Sequence, residues 1–268
     1  MIPELRTLCQ IVITATKEEI QGRFHAVSRE FKADGSIVTA ADRAMQARLE
    51  RDLRHHWPDI PLLGEEMDDA TQAALLRDQP QGVWCLDPLD GTTNFASGVP
   101  MFAVSIALIR DGAPVLGMIY DPIHGECFAA AAGQGAWCNA SPVKAPVAPP
   151  MRDCLAAIDL KRLSPSLAKY LVYHPPYGSQ RNFGSCVLEW AWLATGRVHL
   201  YLHGGQALWD YAAGVLLLTE AGGRALTFDG EPVFHAGLVR RSIIAASDPE
   251  AFVIWRDYLM EFAARSES

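Results

Sequence analysis

Residues 82–95 read Gly-Val-Trp-Cys-Leu-Asp-Pro-Leu-Asp-Gly-Thr-Thr-Asn-Phe, and few local structures satisfy them. The apolar run Val83 to Leu86 reads as a strand whose end delivers Asp87 and Asp90 to one small region. Pro88 stiffens the bend between the two acids, and Gly91 permits a tight turn. Thr92, Thr93 and Asn94 then supply hydroxyls and backbone N–H groups where a helix can begin. Two carboxylates beside a helix N-terminus can hold hard cations and an anion together, as metal-assisted phosphate chemistry requires. A well-capped turn is the plain alternative, and it accounts less well for the helix start that follows at once.

The chain has 268 residues, half of them hydrophobic, enough to bury a large core in one big domain or two smaller ones. A net charge of −8 argues against nucleic acid or an anionic membrane as the main partner. A local basic patch could still hold a phosphorylated substrate. Cys9, Cys85, Cys127, Cys138, Cys154 and Cys186 are scattered without a C-x-x-C pair, and they read as reduced core thiols. The N-terminus shows no charged leader before an apolar block, and no stretch approaches the ~20 apolar residues of a membrane span. A soluble, cytoplasmic protein is expected.

Along the chain, residues 4–25 carry Leu5, Leu8, Ile11, Val12 and Ala15 at helical spacing, and a second helix starts near Ala41 and breaks at Trp57-Pro58. Apolar runs follow at Pro61 to Leu63, Val83 to Leu86, Val104 to Ile109, Val115 to Tyr120 and Cys127 to Ala131. Asp111-Gly112 is a hairpin signal. Residues 141–150 hold four prolines, the best boundary between an N-terminal part (1–145) and a C-terminal part (151–268). The pattern then alternates: a strand at Leu155 to Ile158, a helix over Val187 to Thr195, a strand at Val198 to Leu202. A helix over Trp209 to Ala221 ends at Gly222-Gly223. A strand at Ile243 to Ala246 leads to a last helix with Asp248 as N-cap and Pro249 in its first position. The sum is a layered α/β protein.

Acidic residues recur where these elements begin or end: Gly64-Glu65-Glu66, Asp87 and Asp90, Asp210 after Trp209, and Asp42 after Thr39-Ala40-Ala41. Taken singly, Asp42 and Asp210 are ordinary helix-start acids and Glu65-Glu66 a solvated turn.

Together, Gly64-Glu65-Glu66, the 87–95 segment, Trp209-Asp-Tyr-Ala-Ala-Gly214 and Glu220-Ala-Gly-Gly223 resemble the inositol monophosphatase family. Lys32-Ala-Asp-Gly-Ser-Ile-Val-Thr-Ala-Ala-Asp42 is similar to its upstream motif, and order and spacing agree over nearly the whole chain. The resemblance implies an α-β-α-β-α sandwich of the sugar-phosphatase type, with an α+β N-terminal part. It also implies magnesium-dependent, lithium-sensitive hydrolysis of a phosphate monoester by a cytoplasmic homodimer. On that basis Glu65, Asp87 and the Leu89 carbonyl bind one Mg²⁺, and Asp87, Asp90 and Asp210 a second. A third ion again touches Glu65. Thr92, hydrogen-bonded to Asp42, helps orient and deprotonate the attacking water, and the Gly91 and Thr92 N–H groups cradle the phosphate.

Substrate residues are less like the family's. Gly184-Ser185-Cys186 stands where relatives usually show Gly-Ser/Thr-Ala. His203 occupies a position, seven before Asp210, where inositol-specific relatives often carry glutamate. Basic residues gather at Lys161-Arg162, Arg181 and Arg240-Arg241; any of Lys161, Arg162 or Arg181 facing the metals would suit a second anionic group. A small phosphorylated metabolite is therefore the expected partner. The alternatives are a 3′(2′),5′-bisphosphate nucleotide, fructose 1,6-bisphosphate and histidinol phosphate, and, as a non-enzyme reading, a regulatory protein of the transcription machinery. No membrane partner is expected.

Overall fold

The computed structural model describes residues 3–24, 30–31, 37–77 and 79–266. His25 and residues 32–36 of the upstream motif lie outside the described residues. Helix α1 (Pro3–Glu19), the two-residue strands β1 (Glu30–Phe31) and β2 (Ile37–Val38), and helix α2 (Ala40–His56) come first. Helix α1 stops earlier than its apolar spacing suggests, giving way to a 3₁₀ turn at Gln21–Arg23 that contains Gly22, a poor helix former. Next come β3 (Leu62–Gly64), α3 (Asp69–Leu75), β4 (Val83–Asp90) and the short α4 (Thr92–Ala96). A meander follows through β5 (Ala103–Arg110), β6 (Ala113–Asp121), β7 (Glu126–Ala131), β8 (Gly135–Cys138) and β9 (Ser141–Val143). The second half runs β10 (Leu155–Ile158), α5 (Pro165–Tyr173), β11 (Ser179–Arg181), α6 (Cys186–Ala194) and β12 (Leu200–Gln206). It closes with α7 (Leu208–Ala221), β13 (Arg224–Leu226), β14 (Arg241–Ala246) and α8 (Pro249–Ser266).

Two sheets organise the molecule. The larger has seven strands in the order β3-β4-β5-β6-β7-β8-β9, with β3 parallel to β4 and the other neighbours antiparallel. The smaller has the order β11-β10-β12-β14-β13. Both faces of β4 are buried, so its sequence is a continuous apolar run rather than an alternation. Trp84 and Leu86 face α1 and α2 through Leu5, Leu8, Met45 and Leu49, whereas Val83 and Cys85 pack on the α6–α7 side.

Helices α6 and α7 fill the space between the sheets, with Trp190 and Leu217 in one core with Ile119, Phe128, Tyr201 and Ile243. Helices α5 and α8 cover the outer face of the smaller sheet through Leu167, Leu171, Phe252 and Trp255. The order of layers is α-β-α-β-α, the sugar-phosphatase-type sandwich. Asp248 accepts from the N–H groups of Glu250 and Ala251, as its N-cap reading requires. No described helix is long and apolar enough to cross a membrane.

The ladder between β4 and β5 slips by one residue. Asp87 pairs with Ser105, but Asp90 pairs with Ala103, so the stretch containing Pro88 and Leu89 holds one residue more than its partner. In a regular strand positions 87 and 90 would point to opposite faces. The bulge sets both acids on one side.

Candidate active site

Each acidic residue reaches the site from the end of an element. Strand β4 supplies Asp87 and Asp90, and Asp210 stands in the first turn of α7, its Oδ2 accepting from the Ala207 N–H at 2.8 Å. Asp87, Asp90 and Asp210 each present a carboxylate oxygen, and these lie within 4.8 Å of one another. Glu65 follows β3 and is held by its N–H to the Leu86 carbonyl at 3.1 Å; it borders the same cavity as Asp90 and Asp210, which measures about 630 Å³.

Asp87 is fully buried and accepts from the Leu89 N–H at 3.0 Å. Asp90 and Asp210 keep part of their surface open to the cavity. Burial, then the neighbouring carboxylates, raise the acids: Asp90 to about 6, Asp210 to about 8 and Asp87 well above the usual range. Such a cluster carries repulsion that a cation would relieve. Its donors are all hard oxygens, and the open edge leaves room for water and a substrate oxygen, so the residues fit a hard divalent ion.

Thr92 opens α4. Its hydroxyl lies 2.9 Å from the Leu89 carbonyl and 3.2 Å from Asp42 Oδ1. Asp42 is buried, and its other oxygen accepts from the Thr39 N–H (2.7 Å) and hydroxyl (2.6 Å), capping α2. The acid is thus both the helix-start residue of the plain reading and the partner of Thr92.

The substrate-side residues separate. Gly184, Ser185 and His203 border the cavity. Ser185, however, is buried and donates its hydroxyl to Asp90 Oδ2, which also accepts from the Val187 N–H at 3.0 Å. Its hydroxyl therefore braces a carboxylate of the acidic cluster. Arg181 does not join the cavity wall: at the sheet edge its guanidinium donates to Ser179 Oγ and the Gln180 carbonyl, both at 2.8 Å. Lys161, Arg162 and Arg240 take that place.

From the sequence, Asn94 has only a place at the helix start and Glu189 has no role. Asn94 donates to the Met101 and Phe183 carbonyls, both at 2.8 Å, tying α4 to the segment before Gly184. Glu189 is the one acid in the apolar run of α6; it is buried, and its Oε1 accepts from the Phe183 N–H at 2.8 Å. Burial pushes Glu189 up to about 8. A raised carboxyl stabilises the fold fully below its unfolded value of about 4.5 and loses that contribution as pH rises through about 8. Glu189→Gln keeps the acceptor and removes the proton. Its stability relative to wild type should therefore climb between pH 5 and 8, by at most ~1.4 kcal/mol per pH unit. Denaturant melts at fixed magnesium test this, and parallel pH profiles for the two proteins contradict it.

Fold and site together define a phosphoric monoester hydrolase with a metal-binding acidic centre. The chain belongs to the inositol monophosphatase family, whose profile matches residues 2–261. It is 34% identical to inositol monophosphatase 1 of Solanum lycopersicum over 249 residues, 88% of each chain. It is 33% identical to Nus factor SuhB of Escherichia coli over 228 residues, 83% of this chain and 82% of that one. In structure it is similar to an IMPase of Thermotoga maritima, with a TM-score of 0.82 at 24% identity, covering 97% of this chain and all of the other.

Proposed function

We propose that the enzyme works with magnesium, two or three ions at the acidic centre, on a small phosphorylated metabolite. The observation that carries this reading is the convergence of Asp87 and Asp90 of β4 with Asp210 of α7. Glu65, Asp87 and the Leu89 carbonyl would hold one ion, and Asp87, Asp90 and Asp210 a second. A third would again touch Glu65. When bound, the ions supply positive charge to the phosphate and leaving oxygen and acidify water.

The chain's own groups supply the rest. Asp42, reached through the Thr92 hydroxyl, is placed to draw a proton from the attacking water. The N–H groups of Gly91 and Thr92 cradle the phosphate, although that of Gly91 also serves the Asp90 carboxylate. No side-chain nucleophile is required.

A panel of phosphate monoesters with magnesium tests the reading, including inositol phosphates, nucleotide bisphosphates, fructose 1,6-bisphosphate and histidinol phosphate. Phosphate release from at least one, inhibited by lithium, is expected; release from none overturns it. Magnesium at a hundred times its Kd should stabilise the fold by about 2.7 kcal/mol, raising the melting temperature by several degrees in a chelator-reversible way. A melting temperature indifferent to magnesium contradicts the site. We also expect a homodimer, which a monomeric mass in solution would refute.

A regulatory reading draws support from the likeness to Nus factor SuhB. A cellular phenotype that outlives complete loss of hydrolysis would favour it.

A further inference from the structure

Opposite the acidic centre, the wall of the cavity is basic. Lys161 and Arg162 lie in the 3₁₀ turn Leu160–Arg162, and Arg240 directly precedes β14; all three border the cavity and are exposed. The turn rests on the backbone of β12. A Cβ on Gly204 would stand 1.7 Å from the Arg162 carbonyl oxygen, so only glycine lets the two segments approach this closely. The pairing of β12 with β14 is irregular at the same place, between His203 and Gln206. Arg240 lies alongside, its Cβ 3.8 Å from where a side chain on Gly205 would begin.

The charges are available. Among the described residues no ion pair engages Lys161 or Arg240, and Arg162 reaches Asp159 only at 4.0 Å. Acids share the wall, and among the cations Asp159 places its Oδ2 3.9 Å from His203 Nε2 and 4.0 Å from Arg162, one carboxylate against three cations. Asp159 accepts from the Lys161 N–H at 3.2 Å, and Glu189 is held in its acid form by burial. Asp90, Asp210 and Glu65 belong to the metal centre. His203 Nδ1 accepts from the Gly205 N–H at 3.0 Å, which leaves the ring hydrogen on Nε2. Burial, then Arg162, Arg240 and Lys161, push His203 down to about 4. The imidazole is a neutral donor, and it senses all three cations at once.

We infer that the alcohol portion of the substrate carries a second anionic group, phosphate or carboxylate, seated by Arg240, Lys161 and Arg162 with His203 as a neutral donor. This rests on the phosphatase reading above. It disfavours cationic leaving groups such as that of histidinol phosphate, and it gives an uncharged polyol no special advantage.

Matched substrates test it on the magnesium-loaded protein: adenosine 3′-monophosphate against adenosine 3′,5′-bisphosphate, and fructose 1-phosphate against fructose 1,6-bisphosphate. The doubly charged member of each pair should show kcat/KM higher by about tenfold or more, chiefly through KM. Calorimetry gives a second readout. Adenosine 5′-monophosphate, the product that keeps the second phosphate, should bind metal-free wild-type protein and bind Arg240→Gln about tenfold more weakly. Arg240→Lys should recover part of the loss. Ratios at or below one in wild type, or ratios retained in a Lys161→Gln/Arg240→Gln double variant, overturn the subsite. Equal hydrolysis of both members of each pair removes the subsite alone, whereas no hydrolysis of any ester removes the phosphatase reading and the subsite with it.

Discussion

Asp90→Asn should lower kcat/KM by roughly a thousandfold, about 4 kcal/mol of transition-state stabilisation, while the protein stays folded. Asp90 has two tasks. Its Oδ2 accepts from the Ser185 hydroxyl and the Val187 N–H, and the carboxylate also offers an oxygen to the cluster with Asp87 and Asp210. Asparagine has one oxygen for both. If that oxygen stays with Ser185 and Val187, an NH₂ group points at the cation site; if it turns to the site, the start of α6 loses its acceptor. Either way a negative charge is gone. The fold should survive, and in the absence of metal it should melt at a higher temperature, because one of three crowded carboxylates has been removed. Magnesium should lose most of its stabilising effect. Activity within tenfold of wild type would remove Asp90 from the metal centre.

Gly214→Ala should be the most damaging small change in the middle layer. Gly214 lies on α7 against α6, and a Cβ there would stand 2.3 Å from Trp190 Cγ. Trp190 has nowhere to retreat: it is fully buried, donates to Gln206 Oε1 at 2.9 Å and lies edge-on to Tyr201. The overlap must push the two helices apart, at a cost of about 3 kcal/mol and a fall in melting temperature of roughly 6–12 °C for a chain of this size. Because α7 carries Asp210, activity should fall at temperatures where the variant is still folded. Adding Trp190→Leu should recover part of the stability, a coupling that a double-mutant cycle measures. A single variant that melts within about 1 °C of wild type would show that the helices separate at little cost.

What could be read from the chain beforehand follows from where information is local. Strand β4, helix α7 and the start of α8 announce themselves through continuous apolar runs and caps, and they were found within a few residues of their ends. The short edge strands β9, β11 and β13 carry no such pattern, because three residues cannot display a period. Asp42, Glu65, Asp90, Thr92 and Asp210 were legible because each stands at an element boundary, and Asp87 because it closes the apolar run of β4 at the bulge, where an acid or hydroxyl is out of place in the apolar rhythm. Their convergence came from resemblance rather than periodicity.

The basic wall was legible only as a choice. Lys161, Arg162, Arg181 and Arg240 are equivalent as charges in a string, and only the approach of Arg162 to Gly204 and the edge position of β11 decide which of them face the cavity. Ser185 likewise needed a partner 95 residues away before its hydroxyl had a direction.

The extra residue in β4 makes the active centre depend on length as well as on composition. Deleting either Pro88 or Leu89 would let the strand pair with β5 without interruption, and the sheet would have little reason to object. The two acids would then stand two apart on one face of a regular strand, and the bend that spaces them and sets the Leu89 carbonyl beside the Thr92 hydroxyl would be lost. Exchanging the residues of this segment one for another is therefore a milder insult than shortening it by one. A descendant of this chain could exchange Pro88 or Leu89 and remain an enzyme, yet a single lost codon between the two acids would leave a folded protein whose centre has lost its spacing.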